Sequence, residues 1–399
     1  MSIEREKLYR FPWSKTDNPG GWVEVTDDCD LSCPGCYRYR LEGHRPLEEV
    51  KNDIIACQRM TNCDRIAISG GEPLLYPHIV EVVEFISSQR MKPMLLTNGE
   101  KLTWELALAL KEAGLVQFYF HVDSGQQRPG WAGKNEAEMN KLRQHYADLV
   151  WELRGVQCGY NVTVFRSTLK YIPEIVEWTR SNISKVQHLS LITFRGFLLK
   201  KGMKYMVDNR TIETSLLQNC YDDPGEISIT TDEMFRILEN YFPEQHPCAY
   251  LSGTTAQETY KFLIILNVGS RDEIYGGLGA RTVELAQVFH HLFKGKYCAF
   301  LENQKVGKKI FILSLLDRKV RKAFVNFLKA FIRNPSRIFD GIYVQCINLQ
   351  QPNEIIKGKK NLCDGCLNMM IYKGELINSC QLDEYRLFGG PVTSCLDKN

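Results

Sequence analysis

Residues 65–99 read RIAISGGEPLLYPHIVEVVEFISSQRMKPMLLTNG. Residues 65–69 are a short apolar run stopped by Gly70-Gly71. Residues 77–90 repeat their apolar positions at a helical period, and residues 93–96 are a second apolar run stopped by Thr97-Asn98-Gly99. Short apolar runs bounded by turn residues read as buried strands, and the helix between them reads as the crossover of a parallel pair. The unit repeats in both directions. Upstream, residues 22–26 alternate as a strand and residues 46–60 are helical. Downstream, strands at 116–123, 159–165 and 186–194 alternate with helices at 103–114, 134–153 and 172–182. Such alternation gives a parallel sheet with helices outside it. Six strands fall short of the eight that close a barrel, so the expected fold is α/β, a partial (β/α)6 TIM-like barrel over residues 21–200.

The rest of the chain divides by pattern into an N-terminal extension (1–20), an insertion or lid that is partly helical and basic (201–340), and a cysteine-bearing module (341–399). Within the last, residues 369–373 and 376–379 read as short strands around Gly374. With 399 residues, 44% apolar and 24% charged, the composition is that of a globular protein. A net charge of +3 argues against bulk polyanion binding, and no nucleic-acid module is recognisable. No run of 18 uncharged apolar residues is present and the N-terminus lacks the apolar stretch of a secretory signal. The expected location is therefore the cytoplasm, where disulfides are rare.

Fourteen cysteines then need another explanation. Cys57, Cys63, Cys158, Cys220, Cys248, Cys298 and Cys395 are scattered and read as ordinary thiols. The other seven form two groups. Cys29-x3-Cys33-x2-Cys36 lies in a loop after the first strand of the alternation. Three thiolates this close can each bind one iron of a cubane and leave the fourth iron open to an outside ligand. Zinc is the alternative, with His44 as a fourth ligand, although structural zinc favours paired cysteines.

The C-x3-C-x2-C spacing after a first strand, on a chain of βα repeats, resembles the radical S-adenosylmethionine (SAM) superfamily. The resemblance implies a [4Fe–4S] cluster on Cys29, Cys33 and Cys36 whose open iron holds the methionine part of SAM. Reductive cleavage then gives a 5′-deoxyadenosyl radical that abstracts hydrogen. Ser69-Gly70-Gly71-Glu72-Pro73 resembles the element that binds the SAM amino group, Thr97-Asn98-Gly99 the one near the methionine or ribose, and His121-Val122-Asp123-Ser124 the one that meets the ribose. Tyr37, Gly70, Gly71, Glu72, Asn98, Asp123 and Ser124 are thus expected to bind SAM. His121, Tyr37, Asn161 and Arg195 are candidates for the cavity wall, Arg195 equally for a core salt bridge. Where that family often has an aromatic residue before the third cysteine, this chain has Gly35, with Tyr37 after the cysteine. A one-electron reductant such as flavodoxin or ferredoxin is the implied partner.

Cys363-x2-Cys366-x13-Cys380, with Cys346 upstream, resembles the auxiliary-cluster region of the molybdenum-cofactor GTP cyclase and the twitch/SPASM group. A second [4Fe–4S] cluster is implied, fully protein-bound if Cys346 is a fourth ligand and open if it is not. A four-thiolate zinc site is the alternative. The stretch near 200–340 has no place in a compact cyclase, so GTP is not the expected substrate. Between Lys294 and Arg337 the chain is strongly basic, and Val320, Phe324, Phe327, Leu328 and Phe331 fall at helical spacing. The main expectation is a core-facing helix with a basic outer side. A membrane surface, or a lipid or other anionic small-molecule substrate, is the alternative. Two other functions stay open: a peptide-modifying maturase, and a non-catalytic iron–sulfur or zinc scaffold.

Overall fold

The computed structural model describes residues 3–36, 38–39, 41–217, 219–221, 225, 228–271, 273–299 and 305–397. Tyr37 lies outside the described residues. The short strand β1 (Tyr9–Arg10) precedes the expected alternation: β2 (Gly20–Thr26), α1 (Leu47–Thr61), β3 (Arg65–Gly70), α2 (Ile79–Ser88), β4 (Lys92–Thr97), α3 (Trp104–Glu112), β5 (Gln117–His121), α4 (Glu136–Leu153), β6 (Gln157–Val164), α5 (Ile172–Ser181) and β7 (His188–Thr193). Strands β2 to β7 pair in parallel in sequence order, as the partial barrel requires. Local chemistry sets the helix starts. Thr103 accepts from the Leu106 N–H at the start of α3, and Asn135 and Glu138 bond reciprocally at the start of α4.

The strands alternate their side chains between two environments. Val23, Ile66, Ile68, Leu95, Phe118 and Leu189 are buried against the outer helices. Their neighbours Trp22, Met94, Tyr119, His188 and Ser190 point to the opposite face and line a cavity.

Residues 197–221 add the short strands β8 (Phe197–Leu198), β9 (Met203–Val207), β10 (Arg210–Thr211) and β11 (Cys220–Tyr221). They are followed by α6 (Thr231–Tyr241), β12 (Ala249–Ser252), β13 (Tyr260–Gly269), β14 (Ile274–Gly277), α7 (Ala280–Lys294), α8 (Arg318–Arg333) and β15 (Tyr343–Gln350). The chain ends with β16 (Glu354–Ile356), β17 (Lys359–Asn361), β18 (Met369–Tyr372), β19 (Glu375–Asn378), α9 (Leu382–Phe388) and β20 (Thr393–Leu396).

Neither 200 nor 340 is a break in the sheet. β15 pairs in parallel with β7 and antiparallel with β13, which pairs with β12 and β14. At the other edge, β18 joins β2 through Met369 opposite Gly21. The sheet order is β1-β12-β13-β15-β7-β6-β5-β4-β3-β2-β18-β19. Both edges of the six-stranded barrel are therefore covered by later parts of the chain, which removes the exposed edges. The β18–β19 turn puts Lys373 and Gly374 at φ +48° and +82°, the left-handed pair that a two-residue hairpin favours.

The basic helix α8 packs its apolar face inward. Val320 and Phe327 are buried with Tyr275 and Phe311, and Phe324 packs against the same cluster. The core-facing reading is the observed one for Val320, Phe324 and Phe327, whereas Leu328 is exposed.

Candidate active site

The residues at the ends of the barrel strands converge. The Gly70-Gly71 turn sits directly on the chain entering the cysteine loop. Gly71 N–H donates to the Thr26 carbonyl at 2.8 Å and Glu72 N–H to the Asp28 carbonyl at 2.7 Å. A Cβ on Gly71 would lie 2.2 Å from the Asp28 oxygen, and Gly70 has φ +143° with Thr26 equally close. The two glycines are thus needed to seat the loop that carries Cys29.

Glu72 is buried and ties the ends of β3 and β4 together. One oxygen accepts from the Thr97 hydroxyl (2.6 Å) and the Leu74 N–H (3.0 Å), the other from the Asn98 N–H (2.7 Å). Burial pushes its carboxyl up to about 7, against the pull of these donors. Asn98 reaches back to Asp30 in the cysteine loop at 2.7 Å. Asp123 bonds to His121 Nε2 at 2.7 Å and accepts from the Thr163 N–H at 3.0 Å. Burial raises the Asp123 carboxyl, but His121 and Thr163 outweigh it and the net direction is down.

Ser124 behaves differently from its expectation. Its N–H and hydroxyl both donate to Glu136, at 2.6 and 2.7 Å, and it is not among the residues lining the cavity, whereas Gly125 and Gln126 are. Glu136 is in turn fixed by the buried Arg143.

Sequence reasoning missed two features. Arg128 is fully buried and donates to the carbonyls of Asn98 and His121 and to the side chains of Gln126 and Glu100. It clamps the ends of β4 and β5, a role that an arginine in a polar loop does not announce. Phe165 lies over two glycines: a Cβ on Gly35 would be 2.9 Å from its ring and one on Gly125 2.5 Å. It stacks on Phe194 at 4.8 Å. Gly35 therefore stands where the family resemblance expects an aromatic residue because Phe165 and Phe194 fill that space.

Burial raises Cys29 and Cys33, and each is raised further by the neighbouring thiols of their loop. Burial, then Cys36, pushes Cys33 up to about 12, and burial pushes Cys29 up as well. Closely spaced thiols that repel each other as thiolates suit a cationic cluster, which takes them in the deprotonated form. His44 bonds to Thr26 at 2.8 Å and pairs with Asp28, so the structure does not bring it to the thiols.

Cys363, Cys366 and Cys380 form the second trio. The Cys363 thiol hydrogen-bonds to Cys366 and lowers it, while burial raises Cys380 to about 11. Asn368 N–H and the Asn353 amide donate to the sulfurs of Cys366 and Cys380, at 3.4 and 3.5 Å. Arg195 donates to the Cys380 carbonyl, which links the end of β7 to this trio. Cys346 does not join it. It sits on β15 opposite His188 and Leu266, and its thiol neighbour is Cys248. Among the described residues no three His, Cys, Asp or Glu side chains are placed to hold a single metal ion.

Both trios line one cavity of about 510 Å³, together with Gly70, Gly71, Glu72, Asn98, His121, Asp123, Asn161 and Arg195. One side of it is apolar, formed by Phe11, Trp13, Leu251, Phe262 and Val283.

A probable GTP 3′,8-cyclase of Methanocaldococcus jannaschii is 27% identical over 200 residues, 46% of this chain and 62% of that protein. The GTP 3′,8-cyclase of Alkaliphilus oremlandii is 34% identical over 109 residues, 26% of this chain and 34% of its own. The chain thus spans less than two thirds of the curated relatives it matches. Among solved structures, SuiB of Streptococcus suis bound to S-adenosylmethionine overlaps 56% of this chain and 47% of SuiB at 15% identity, with a TM-score of 0.39. No helix among the described residues is long and apolar enough to cross a membrane. The sequence profile of the Radical SAM superfamily matches residues 23–176, the span that carries the first trio and the strand-end motifs, and over this span the chain is similar to radical SAM domains, including that of the GTP 3′,8-cyclases.

Proposed function

We propose that this protein is an enzyme that cleaves SAM reductively at a [4Fe–4S] cluster held by Cys29, Cys33 and Cys36, and passes the resulting radical to a substrate in the same cavity. The observation that carries this reading is the shared cavity: the first trio, the strand-end residues and the second trio all line it. When bound, the cluster and SAM supply an electron and a carbon radical. The chain supplies the positioning. The Gly70–Gly71 backbone and Asn98 face the methionine end. His121 and Asp123 face the ribose, and the Phe165–Phe194 pair offers an apolar surface for the adenine ring. Glu72, with both oxygens engaged, holds strand ends in register and leaves direct contact with the SAM ammonium to backbone carbonyls.

Cys363, Cys366 and Cys380 would hold a second cluster with one iron open toward the substrate. The substrate lies between the trios. The apolar side of the cavity suits a substrate with an apolar portion, and Arg65 and Arg195, which also line the cavity, suit a polar or anionic end. The cyclase relatives point instead to a nucleotide, and competition by GTP against SAM-dependent turnover would separate the two. A one-electron reductant such as flavodoxin or ferredoxin is the required partner.

The test is anaerobic reconstitution, metal counting, and addition of SAM with dithionite. About eight irons per chain and formation of 5′-deoxyadenosine are expected. Four irons plus zinc would make the second trio structural. A full cluster with no deoxyadenosine would leave the scaffold reading.

A further inference from the structure

We infer that the face formed by α7, the 3-10 segment Lys308–Leu315 and the outer side of α8 docks on an anionic membrane surface. Apart from Leu328, the apolar residues that face outward here are not those that form the helical pattern of α8. Leu292 and Phe293 on α7 are 70% and 76% exposed, Leu315 78% and Ile332 on α8 76%. Phe289 is exposed beside them and stacks on Phe293. Leaving such a group of apolar side chains in water is costly unless something covers it.

The N-terminal ends of α7 and α8 meet at one corner. Arg281, in the first turn of α7, donates to the Leu316 carbonyl, and Arg321, in the first turn of α8, donates to the carbonyls of Ser314 and Leu315. The Leu315-Leu316 corner is therefore the junction from which both exposed stripes run: Val288, Phe289, Leu292 and Phe293 along α7, and Val325, Leu328 and Ile332 along α8.

Charge decides what covers this surface. Residues 280–340 contain thirteen Lys and Arg against four Asp and Glu, while the whole chain has a net charge of only +3. The excess is thus concentrated in this region and opposed elsewhere. Arg318, Lys322 and Lys329 are exposed beside the apolar stripe of α8, and Lys294 beside that of α7. Apolar side chains among cations fit the boundary between acyl chains and anionic headgroups. A second copy of the same chain would bring the same positive charge against itself. The inner side of α7 adds a second observation. Val283 and Gln287 line the cavity on its apolar side, and Trp13 donates to Gln287 at 3.2 Å. One helix thus separates the apolar side of the cavity from the docking face.

The experiment is flotation of the reconstituted protein with phosphatidylcholine vesicles, with and without phosphatidylglycerol. The wild type is expected to float with the anionic vesicles, to be released by salt, and to stay behind with neutral ones. A Leu292→Ser, Phe293→Ser, Leu315→Ser variant is expected to lose about tenfold or more of this binding, and so is a Lys322→Glu, Lys329→Glu variant. Thermal unfolding and 5′-deoxyadenosine formation report that the variants are folded. Binding is read without turnover, so it stands or falls separately from SAM cleavage. No flotation of the wild type, equal flotation with neutral vesicles, or unchanged binding by folded variants overturns the inference. A dimer that dissociates in the serine variant, with no vesicle binding, also overturns it and assigns the face to a second copy.

Discussion

The two cysteine trios reach one cavity by opposite routes. Cys29, Cys33 and Cys36 lie within a single loop, at a strand end where the first of them is exposed. Cys363, Cys366 and Cys380 are gathered by tertiary structure. Cys363 bridges Gly253, Gly365 packs against Trp13, and the β18–β19 hairpin that joins β2 carries the chain from Cys366 to Cys380. The first site is built to be approached and the second to be held. N–H donors on the sulfurs of the second trio stabilise thiolate charge and orient the ligands. The first trio is instead framed by Gly71, Glu72 and Asn98, which fix its loop from outside.

Exchanging one cysteine from each trio gives the largest expected difference. Cys33→Ala should abolish 5′-deoxyadenosine formation, a loss of about 100-fold or more, because a cluster with two thiolate ligands is not retained. Cys366→Ala should lose about half the iron and all substrate turnover, yet form deoxyadenosine within a few-fold of the wild type. Anaerobic product analysis by chromatography measures both. If Cys366→Ala stops SAM cleavage as completely as Cys33→Ala, the division between an approached and a held site is wrong.

A smaller effect sharpens the description of the first site. Glu72 is fully buried, and burial raises its carboxyl from 4.5 to about 7. The folded protein therefore holds this proton more tightly than the unfolded chain. The corresponding stability is fully present below pH 4.5 and is lost as the pH rises through about 7. The loss is on the order of 3 kcal/mol, less whatever relaxation returns. Glu72→Gln keeps the shape and removes the titration. Unfolding of the apoprotein should show the wild type losing stability relative to Glu72→Gln across this range. Parallel profiles would show that Glu72 does not titrate there.

The same contrast explains what the sequence disclosed. The barrel was legible because each βα unit carries its own punctuation: Gly70-Gly71, Asn98-Gly99 and Gly114 stop elements that are periodic in themselves. The first trio was legible because its ligands share a loop. The second was legible only in part. Spacing grouped Cys363, Cys366 and Cys380, but it also admitted Cys346, whose place on β15 between β7 and β13 depends on pairing with strands far away in sequence. Strand β13 was not foreseen, since a continuous run such as Phe262–Val268 is ambiguous between strand and buried helix. Periodicity found the apolar face of α8 and its core-facing Phe324 and Phe327, but it did not separate exposed Leu328 from them, and most of the exposed apolar residues lay outside the pattern.

The smallest effect is expected at Ser124, where motif position and geometry disagree. By its place after β5 this serine belongs with the groups that meet SAM. In the fold its hydroxyl and N–H both donate to Glu136, which the Arg143 guanidinium fixes from the other side. Removing the hydroxyl leaves the backbone donor in place and costs about 1 kcal/mol of stability at most. Ser124→Ala should therefore bind SAM within about twofold of the wild type in equilibrium dialysis, with a slightly lower unfolding temperature. A loss of tenfold or more would mean that the hydroxyl turns toward the cavity when SAM is bound, and that the strand-end motif, rather than the hydrogen bonds seen here, is the better guide to the first site.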